Sequence, residues 1–257
     1  MRFDLDPLGA AAAAVAPGSD SGGGLAGLAR VLAEAECGGT GEDGAAQLAA
    51  RARLGALSER YESGGRGPGT VSSGKGDPGG VSYGLYQLAS KTGTVAAFLT
   101  AEGAPWSGDF GVLAPGSEPF SAAWRALAAR EGEAFGAAQH AFIERSHYRP
   151  LVRAVAEQTG LDLDGRADAV RDACWSCAVQ HGGAARFVAR AVGRADAAAP
   201  RESASYDRAL VEAIYAERCA YVLKIAARAD PATRRTLTGL VEQRYADERR
   251  RALAMLG

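Results

Sequence analysis

Two carboxylates in one glycine-rich stretch are the residues of this chain best suited to chemistry. Glu62 closes a helix predicted over residues 44–61, and Asp77 follows in a run of glycine and proline. Partial desolvation and the negative end of the helix dipole favour a raised pKa for Glu62, whereas a solvated loop keeps Asp77 ionised. A protonated acid facing an ionised carboxylate is the arrangement that cleaves a glycosidic bond, and room for a water between them predicts inversion. The plainer alternative is a solvated charge at Glu62 and an ordinary turn at Asp77.

The side chains around these carboxylates suit a sugar. Tyr83 and Tyr86 carry flat apolar faces together with hydroxyl groups. Gln87 and the neighbouring serines are predicted to hydrogen-bond to the ligand; these serines are Ser72, Ser73 and Ser82. Glycines in the same stretch let backbone N–H groups approach a saccharide closely. The alternative for the two tyrosines is a place in the core.

The stretch also resembles a known family. Glu62-Ser63-Gly64 followed by Tyr83-Gly84-Leu85-Tyr86-Gln87-Leu88 is similar to the lysozyme-like superfamily pattern of lytic transglycosylases. The whole run from Tyr61 to Gln87 more closely resembles a subgroup of peptidoglycan hydrolases akin to chitosanases, found as phage endolysins and as C-terminal domains of VgrG spike proteins of type VI secretion. Three further segments resemble that subgroup: residues 138–140, 175–182 and 214–218.

The resemblance implies a lysozyme-like helical fold with Glu62 as general acid and Asp77 as the second carboxylate. It also favours a role in the cleft for His181, either orienting Asp77 or contacting sugar. The alternative for His181 is a residue that closes a helix and interacts favourably with its dipole. Tyr86 stands where the transglycosylase pattern has Met, which weakens that particular relationship.

The function expected from these observations is a muramidase that cleaves the MurNAc–GlcNAc bond of bacterial peptidoglycan, with inversion. The alternatives are a lytic transglycosylase forming 1,6-anhydro-MurNAc, a chitosanase, and a catalytically silent glycan-binding module of a phage tail. Peptidoglycan strands are the expected partner, with an immunity protein or a secretion or phage tail component as a second one. No cofactor and no metal is implied.

Composition excludes several other classes. A net charge of −1 and a pI near 6.3 give no reason to expect a nucleic-acid partner, and no run approaches the roughly 20 apolar residues of a membrane span. The apolar run near the N-terminus lacks the features of a Sec signal peptide. The expectation is therefore a protein made in the cytoplasm that acts in the periplasm or cell wall, after holin release or delivery by a secretion system. Cys174 and Cys177 form a C-x-x-C pair, which is interpreted as two buried thiols in a helix rather than a redox or zinc motif.

Apolar periodicity predicts a mainly α (α+β) fold. Residues 1–24 are expected to form a flexible arm and 25–44 a short helix and linker. The resemblance spans residues 45–257 and implies that they form the lysozyme-like catalytic domain. Any sheet is predicted to be a short hairpin in the 70–86 loop, contributing to the cleft. Beyond it, helices are predicted at 93–100, 120–143, 151–159, 165–181, 184–192, 206–228 and 231–256.

Overall fold

The computed structural model describes residues 54–55 and 67–257, and residues 67–257 belong to one compact unit. Its elements in chain order are β1 (Ser82–Tyr83), β2 (Leu88–Ala89), α1 (Thr94–Leu99), α2 (Ser107–Phe110), α3 (Glu118–Ile143), α4 (Arg149–Thr159), α5 (Asp168–Gln180), α6 (Ala184–Ala198), α7 (Tyr206–Ala226), α8 (Pro231–Gly239) and α9 (Ala246–Ala254). A 3-10 turn precedes α2, and π-helical turns at Glu144–Tyr148 and Leu240–Tyr245 join α3 to α4 and α8 to α9. The mainly helical class is confirmed. The predicted arm, the first linker and Glu62 lie outside the described residues. Of the helix predicted at 44–61 only Leu54 and Gly55 are described, and there the prediction is wrong, because the two residues form a turn in which Gly55 has a φ of +84°.

Helix α5 is the centre of the helical core. All of its residues from Ala169 to Val179 are buried except Arg171, so no polar stripe faces water. A helix that is apolar on every side requires neighbours all round, and here α7, α9, α6 and α4 pack against it. Cys174 and Cys177 lie inside this packing as free, buried thiols, which confirms their interpretation as structural residues.

Helix α3 carries the second part of the core. Its N-terminus is capped by the Ser117 hydroxyl, which accepts a hydrogen bond from Phe120 N at 3.3 Å. Non-helical backbone at Glu131 (φ −135°, ψ 38°) kinks the helix halfway. Its inner face joins a cluster of aromatic rings with centroids about 5–6 Å apart, made by Phe98, Phe110, Phe120, Trp124, Phe135 and Phe142.

The glycine-rich loop folds into a small antiparallel sheet. Ser82 pairs with Ala89 and Tyr83 with Leu88, while an isolated bridge joins Val71 to Tyr83 on the other side. The predicted short hairpin is therefore confirmed, although its second strand lies just beyond residue 86. The hairpin is placed on the surface of α3 by contacts that belong to the candidate site.

Candidate functional site

Gln139 is a buried side chain of α3 that binds the backbone of the glycine-rich loop. Its Oε1 accepts a hydrogen bond from Leu85 N at 2.9 Å, and its Nε2 donates to Pro68 O at 3.2 Å. Pro68 O also accepts from Trp124 Nε1 at 2.9 Å. Gln139 is 0% exposed, so its amide needs partners within the protein, and backbone groups of the loop hydrogen-bond to both ends of it. The loop is therefore held at two points. Sequence analysis did not identify this residue, since a lone Gln in a helix gives no sign of where its amide points.

Gly84 allows this close approach. Its φ of +75° is one that side-chain-bearing residues rarely adopt, and a Cβ there would lie 2.2 Å from Gln139 Oε1. The glycine in the Tyr-Gly-Leu-Tyr run is therefore required by the clamp on the loop, in addition to any ligand.

Tyr83 and Tyr86 are both 0% exposed. Tyr83 packs edge-on against Phe120 at 5.2 Å between ring centroids, and its hydroxyl lies 2.8 Å from Ser121 Oγ. The Tyr86 ring lies against Trp175 at 5.9 Å. Neither ring presents a face to a ligand, so their packing supports the alternative of core aromatics in place of the predicted sugar-stacking surfaces. The physical reason is that the hairpin folds flat onto α3 and turns its apolar side chains inward.

Asp77 lies on the outer rim of the loop. Its Oδ1 accepts a hydrogen bond from Gly79 N at 2.8 Å, and the same turn is closed by bonds from Asp77 N to Gly74 O at 3.2 Å and from Gly80 N to Asp77 O at 2.9 Å. The residue is partly exposed. Within residues 54–55 and 67–257, Oδ2 has no hydrogen-bond partner. A turn therefore fixes the carboxylate in place through Oδ1 and leaves Oδ2 without a hydrogen bond from the described residues.

The predicted hydrogen-bonding residues of the loop fall into two groups. Ser72 and Ser82 serve the sheet itself, because Ser72 Oγ accepts from Ser82 N at 2.8 Å and Ser82 is buried. Ser73 is exposed and close to Asp77 along the chain. Gln87 is partly exposed and adopts φ +53°, the only positive φ of a non-glycine residue in the described ranges. Backbone strain of this kind concentrates at ligand sites, so Gln87 stays a candidate for hydrogen bonding to the ligand.

His181 does not lie beside Asp77 as a hydrogen-bond partner. It follows α5 and points into the helical core, where its Nε2 lies 3.2 Å from both Arg218 Nε and the Tyr245 hydroxyl. Burial, with the nearby Arg218 and Arg244 cations, lowers the pKa of His181 to about 3. The side chain is 5% exposed and neutral at physiological pH, so the predicted roles of orienting Asp77 or contacting sugar do not match its position.

A buried ion network surrounds that histidine. Arg218 on α7 and Glu248 on α9 are both 0% exposed, and Arg218 Nη1 lies 3.0 Å from Glu248 Oε2. Ser176 on α5 donates to the same oxygen at 2.8 Å, and Arg244 donates to the other at 2.7 Å. Burial alone would raise the pKa of the Glu248 carboxyl, but the two arginines outweigh it and the pKa is lowered. The network joins α5, α7 and α9, and apart from the local pair Arg244–Glu248 its members are too far apart in sequence for a local pattern to reveal it.

His140 belongs to the segment 138–140 that resembles the family. It follows Gln139 on α3, is partly exposed, and stacks on Trp175 with ring centroids 4.5 Å apart and an interplanar angle of 22°. Its ring also meets Tyr86 edge-on at 6.1 Å. The amide of Gly55 donates to Asp172 on the same helix as Trp175, at 2.5 Å from Oδ1. This junction of α3, α5 and the hairpin is the inner wall of the candidate site.

Residues 54–248 match the family described as type VI secretion system spike protein VgrG3-like, C-terminal. The chain belongs to this family. The match covers the glycine-rich loop and every helix up to Glu248, so the family's shared region includes Asp77, the Gln139 clamp and the buried network.

A curated relative supports the same assignment. The chain is 38% identical over 139 residues to the type VI secretion system spike protein VgrG3 of Vibrio cholerae serotype O1. That alignment covers 54% of this chain and 13% of the relative, so the chain corresponds to a small part of the relative's length.

Two further properties of the family member follow from the described ranges. No three His, Cys, Asp or Glu side chains there come together in a way that would hold a metal ion. In the same part of the chain, none of the helices combines the length and apolar composition needed to cross a bilayer.

Proposed function

We propose that this domain is a peptidoglycan hydrolase that cleaves the MurNAc–GlcNAc bond, with Glu62 as general acid and Asp77 as general base. Glu62 donates its proton to the glycosidic oxygen as the bond to the anomeric carbon breaks. Asp77 takes a proton from a water that attacks the opposite face of that carbon, so the configuration inverts. An inverting pair needs about 6.5–9.5 Å between its carboxyl groups to admit the water.

The observation that carries the proposal is the geometry of Asp77. A general base must be held in place and still accept a proton from water. The turn at Gly74–Gly80 supplies the first condition, and the Oδ2 oxygen without a partner among the described residues supplies the second. The two hydrogen bonds of Gln139 tie the loop that carries Asp77 to α3. A carboxylate whose role in a turn is purely structural does not need its loop to be held in this way.

The covalent connections on either side of Glu62 support its place in the same site. Gly55, which precedes Glu62, donates a hydrogen bond to Asp172 on α5. The carbonyl of Pro68, which follows Glu62, accepts hydrogen bonds from Gln139 and Trp124 on α3. We therefore propose a lysozyme-like cleft whose inner wall is the α3–α5–hairpin junction and whose rim carries Asp77.

Family membership supports a proposed route to the substrate. The family is named for a type VI secretion spike, which favours delivery by that apparatus over holin release from a phage-infected cell. The domain would then act on the cell wall in the periplasm of a target cell. A producing cell would need an immunity protein that covers the cleft.

The proposal is tested by mass spectrometry of purified peptidoglycan digested with the wild type, Glu62→Gln and Asp77→Asn. Asn keeps a side-chain oxygen for the Gly79 N–H, so the turn survives while the base is lost. A matched control is Asp162→Asn, because Asp162 caps its own turn in the same way, accepting from Asp164 N at 3.0 Å. We expect reducing-end MurNAc from the wild type and the control, and at least a hundred-fold less from the other two, as general acid–base catalysis contributes about 10²–10⁴-fold.

Three other outcomes would each indicate one of the alternative functions. Anhydro-MurNAc products that persist in Asp77→Asn would make this a lytic transglycosylase that uses Glu62 alone. Cleavage of chitosan in preference to peptidoglycan would make it a chitosanase. Glycan binding by a wild type that releases no product would leave a binding module.

A further inference from the structure

Lysine is rare in this chain and concentrated at one place. The sequence holds 29 basic residues, of which only Lys75, Lys91 and Lys224 are lysines. Two of the three lie in the glycine-rich loop and its exit. Between residues 67 and 93 the only other charged residue is Asp77, so this stretch has a net charge of +1 in a protein whose net charge is −1.

The backbone brings both lysines to the turn that carries Asp77. Lys75 lies inside that turn, which the bond from Asp77 N to Gly74 O closes at 3.2 Å. Lys91 lies just after β2, and its backbone N–H donates to Gly79 O at 3.0 Å. Gly79 is the residue whose amide holds the Asp77 carboxylate. Each lysine is therefore attached to the same turn as the proposed base.

Side-chain packing directs Lys91 across this rim. A Cβ at Gly80 would lie 2.9 Å from Lys91 Cγ, so the aliphatic part of the lysine occupies the space above that glycine. Both lysines are exposed. Neither ammonium group forms an ion pair with any residue of 54–55 or 67–257. Arginines of similar exposure do form such pairs: Arg125 with Glu118, Arg130 with Asp109, and Arg145 with Glu102.

We propose that Lys75 and Lys91 bind carboxylates of the peptide stems of peptidoglycan and so set the preference of the site for an anionic glycan. This inference rests on the proposed function and names the part of the substrate that the rim recognises. Two cations at the Asp77 turn that have no ion-pair partner among the described residues attract a strand that carries free carboxylates, leave a neutral strand unaffected and repel the ammonium groups of chitosan. The lysines are specificity residues, and the bond-breaking steps stay with the two acids.

The test compares one glycan in two charge states. Soluble, uncrosslinked peptidoglycan strands are used as such, or after carbodiimide coupling to ammonia has converted their carboxylates to amides. For the wild type, amidation is expected to raise KM roughly three- to ten-fold, the size expected for two exposed ion pairs, with kcat within about two-fold. Lys75→Gln/Lys91→Gln is expected to show the raised KM already on native strands and no further change on amidated ones. Salt should weaken the wild-type preference, because exposed charges are screened.

Lys224→Gln is the matched control, since Lys224 is the third lysine and is exposed on α7. It should behave as the wild type on both substrates. A double variant that stays as sensitive to amidation as the wild type would overturn the proposal while leaving hydrolysis intact. Should the wild type release no product from either strand, the proposed function fails. Co-sedimentation with native and amidated sacculi then tests the proposed role of the lysines alone. Equal binding of the wild type to the two kinds of sacculi would refute that role.

Discussion

The Gln139→Leu variant tests whether the position of the glycine-rich loop depends on one buried amide. Leucine is one atom shorter than glutamine, and it neither accepts from Leu85 N nor donates to Pro68 O, the two bonds that Gln139 makes at 2.9 and 3.2 Å. Pro68 O keeps its bond from Trp124 Nε1, whereas Leu85 N–H is left buried without its partner.

The expected loss of stability follows from those contacts. Two hydrogen bonds contribute about 1 kcal/mol each, and a buried amide left without an acceptor costs about 1–3 kcal/mol more. The added apolar surface of leucine offsets about 1 kcal/mol of this. The net destabilisation is about 2–4 kcal/mol, which corresponds to a fall in Tm of about 5–15 °C for a domain of this size.

Activity should fall by more than the loss of folded protein explains. Helices α3 to α9 do not depend on the clamp, so the variant is expected to keep its far-ultraviolet circular dichroism at 25 °C. The loop carrying Asp77 loses two of its hydrogen bonds to α3, and a displacement of about 1 Å costs on the order of a hundred-fold in rate. Peptidoglycan cleavage by Gln139→Leu should therefore drop at least about ten-fold at a temperature where the protein is folded.

The control is Gln158→Leu, the same exchange on the exposed last turn of α4. Its Tm and activity should match those of the wild type. A Tm for Gln139→Leu within about 2 °C of this control would show that the clamp contributes little to stability. A large fall in Tm with full activity would show that the position of the loop does not depend on it.

The remaining predictions concern the helical core. Because the pKa of His181 is lowered by burial, Arg218 and Arg244 to about 3, from 6.5 in the unfolded chain, the unfolded state binds a proton first as pH falls. The stability contributed by neutral His181 is complete above pH 6.5 and is lost between pH 6.5 and 3, by up to about 1.4 kcal/mol per pH unit. When the free energy of unfolding is measured with denaturant, it should fall less steeply with decreasing pH in His181→Gln than in the wild type across that window. An unchanged slope would contradict the reasoning. Burial also raises the pKa of Cys177 to about 11 and that of Cys174 above its usual value, so neither should react with iodoacetamide at pH 8 until the protein is unfolded. Peptide mapping measures this, and rapid native labelling would show an open core.

The helices were predictable because their signal is local. The expected 120–143 and 206–228 correspond to α3 at Glu118–Ile143 and α7 at Tyr206–Ala226, and errors are confined to the ends. An apolar stripe at i, i+3 and i+4 is a direct consequence of helical geometry. The predicted single helix at 231–256 contains the π turn Leu240–Tyr245, which the apolar pattern did not reveal.

The candidate site was predictable in part. The glycine-rich character of the loop, the short hairpin and the turn at Asp77 all follow from residue types with strong local preferences. Where Tyr83, Tyr86 and His181 point was not predictable, because an aromatic or a histidine suits a cleft and a core equally well by composition.

The sequence by itself determined a mainly helical protein with a glycine-rich hairpin, and it supplied the motif through which the family was expected. Only the tertiary structure decided which side chains line the rim and which fill the core. Gln139 and Ser121 on α3 bind the glycine-rich loop at Leu85, Pro68 and Tyr83, both tyrosines are buried, and Asp77 and two lysines stay at the surface. His181 faces Arg218 and Tyr245, which follow it by 37 and 64 residues, and contacts at such separations arise only when whole helices pack.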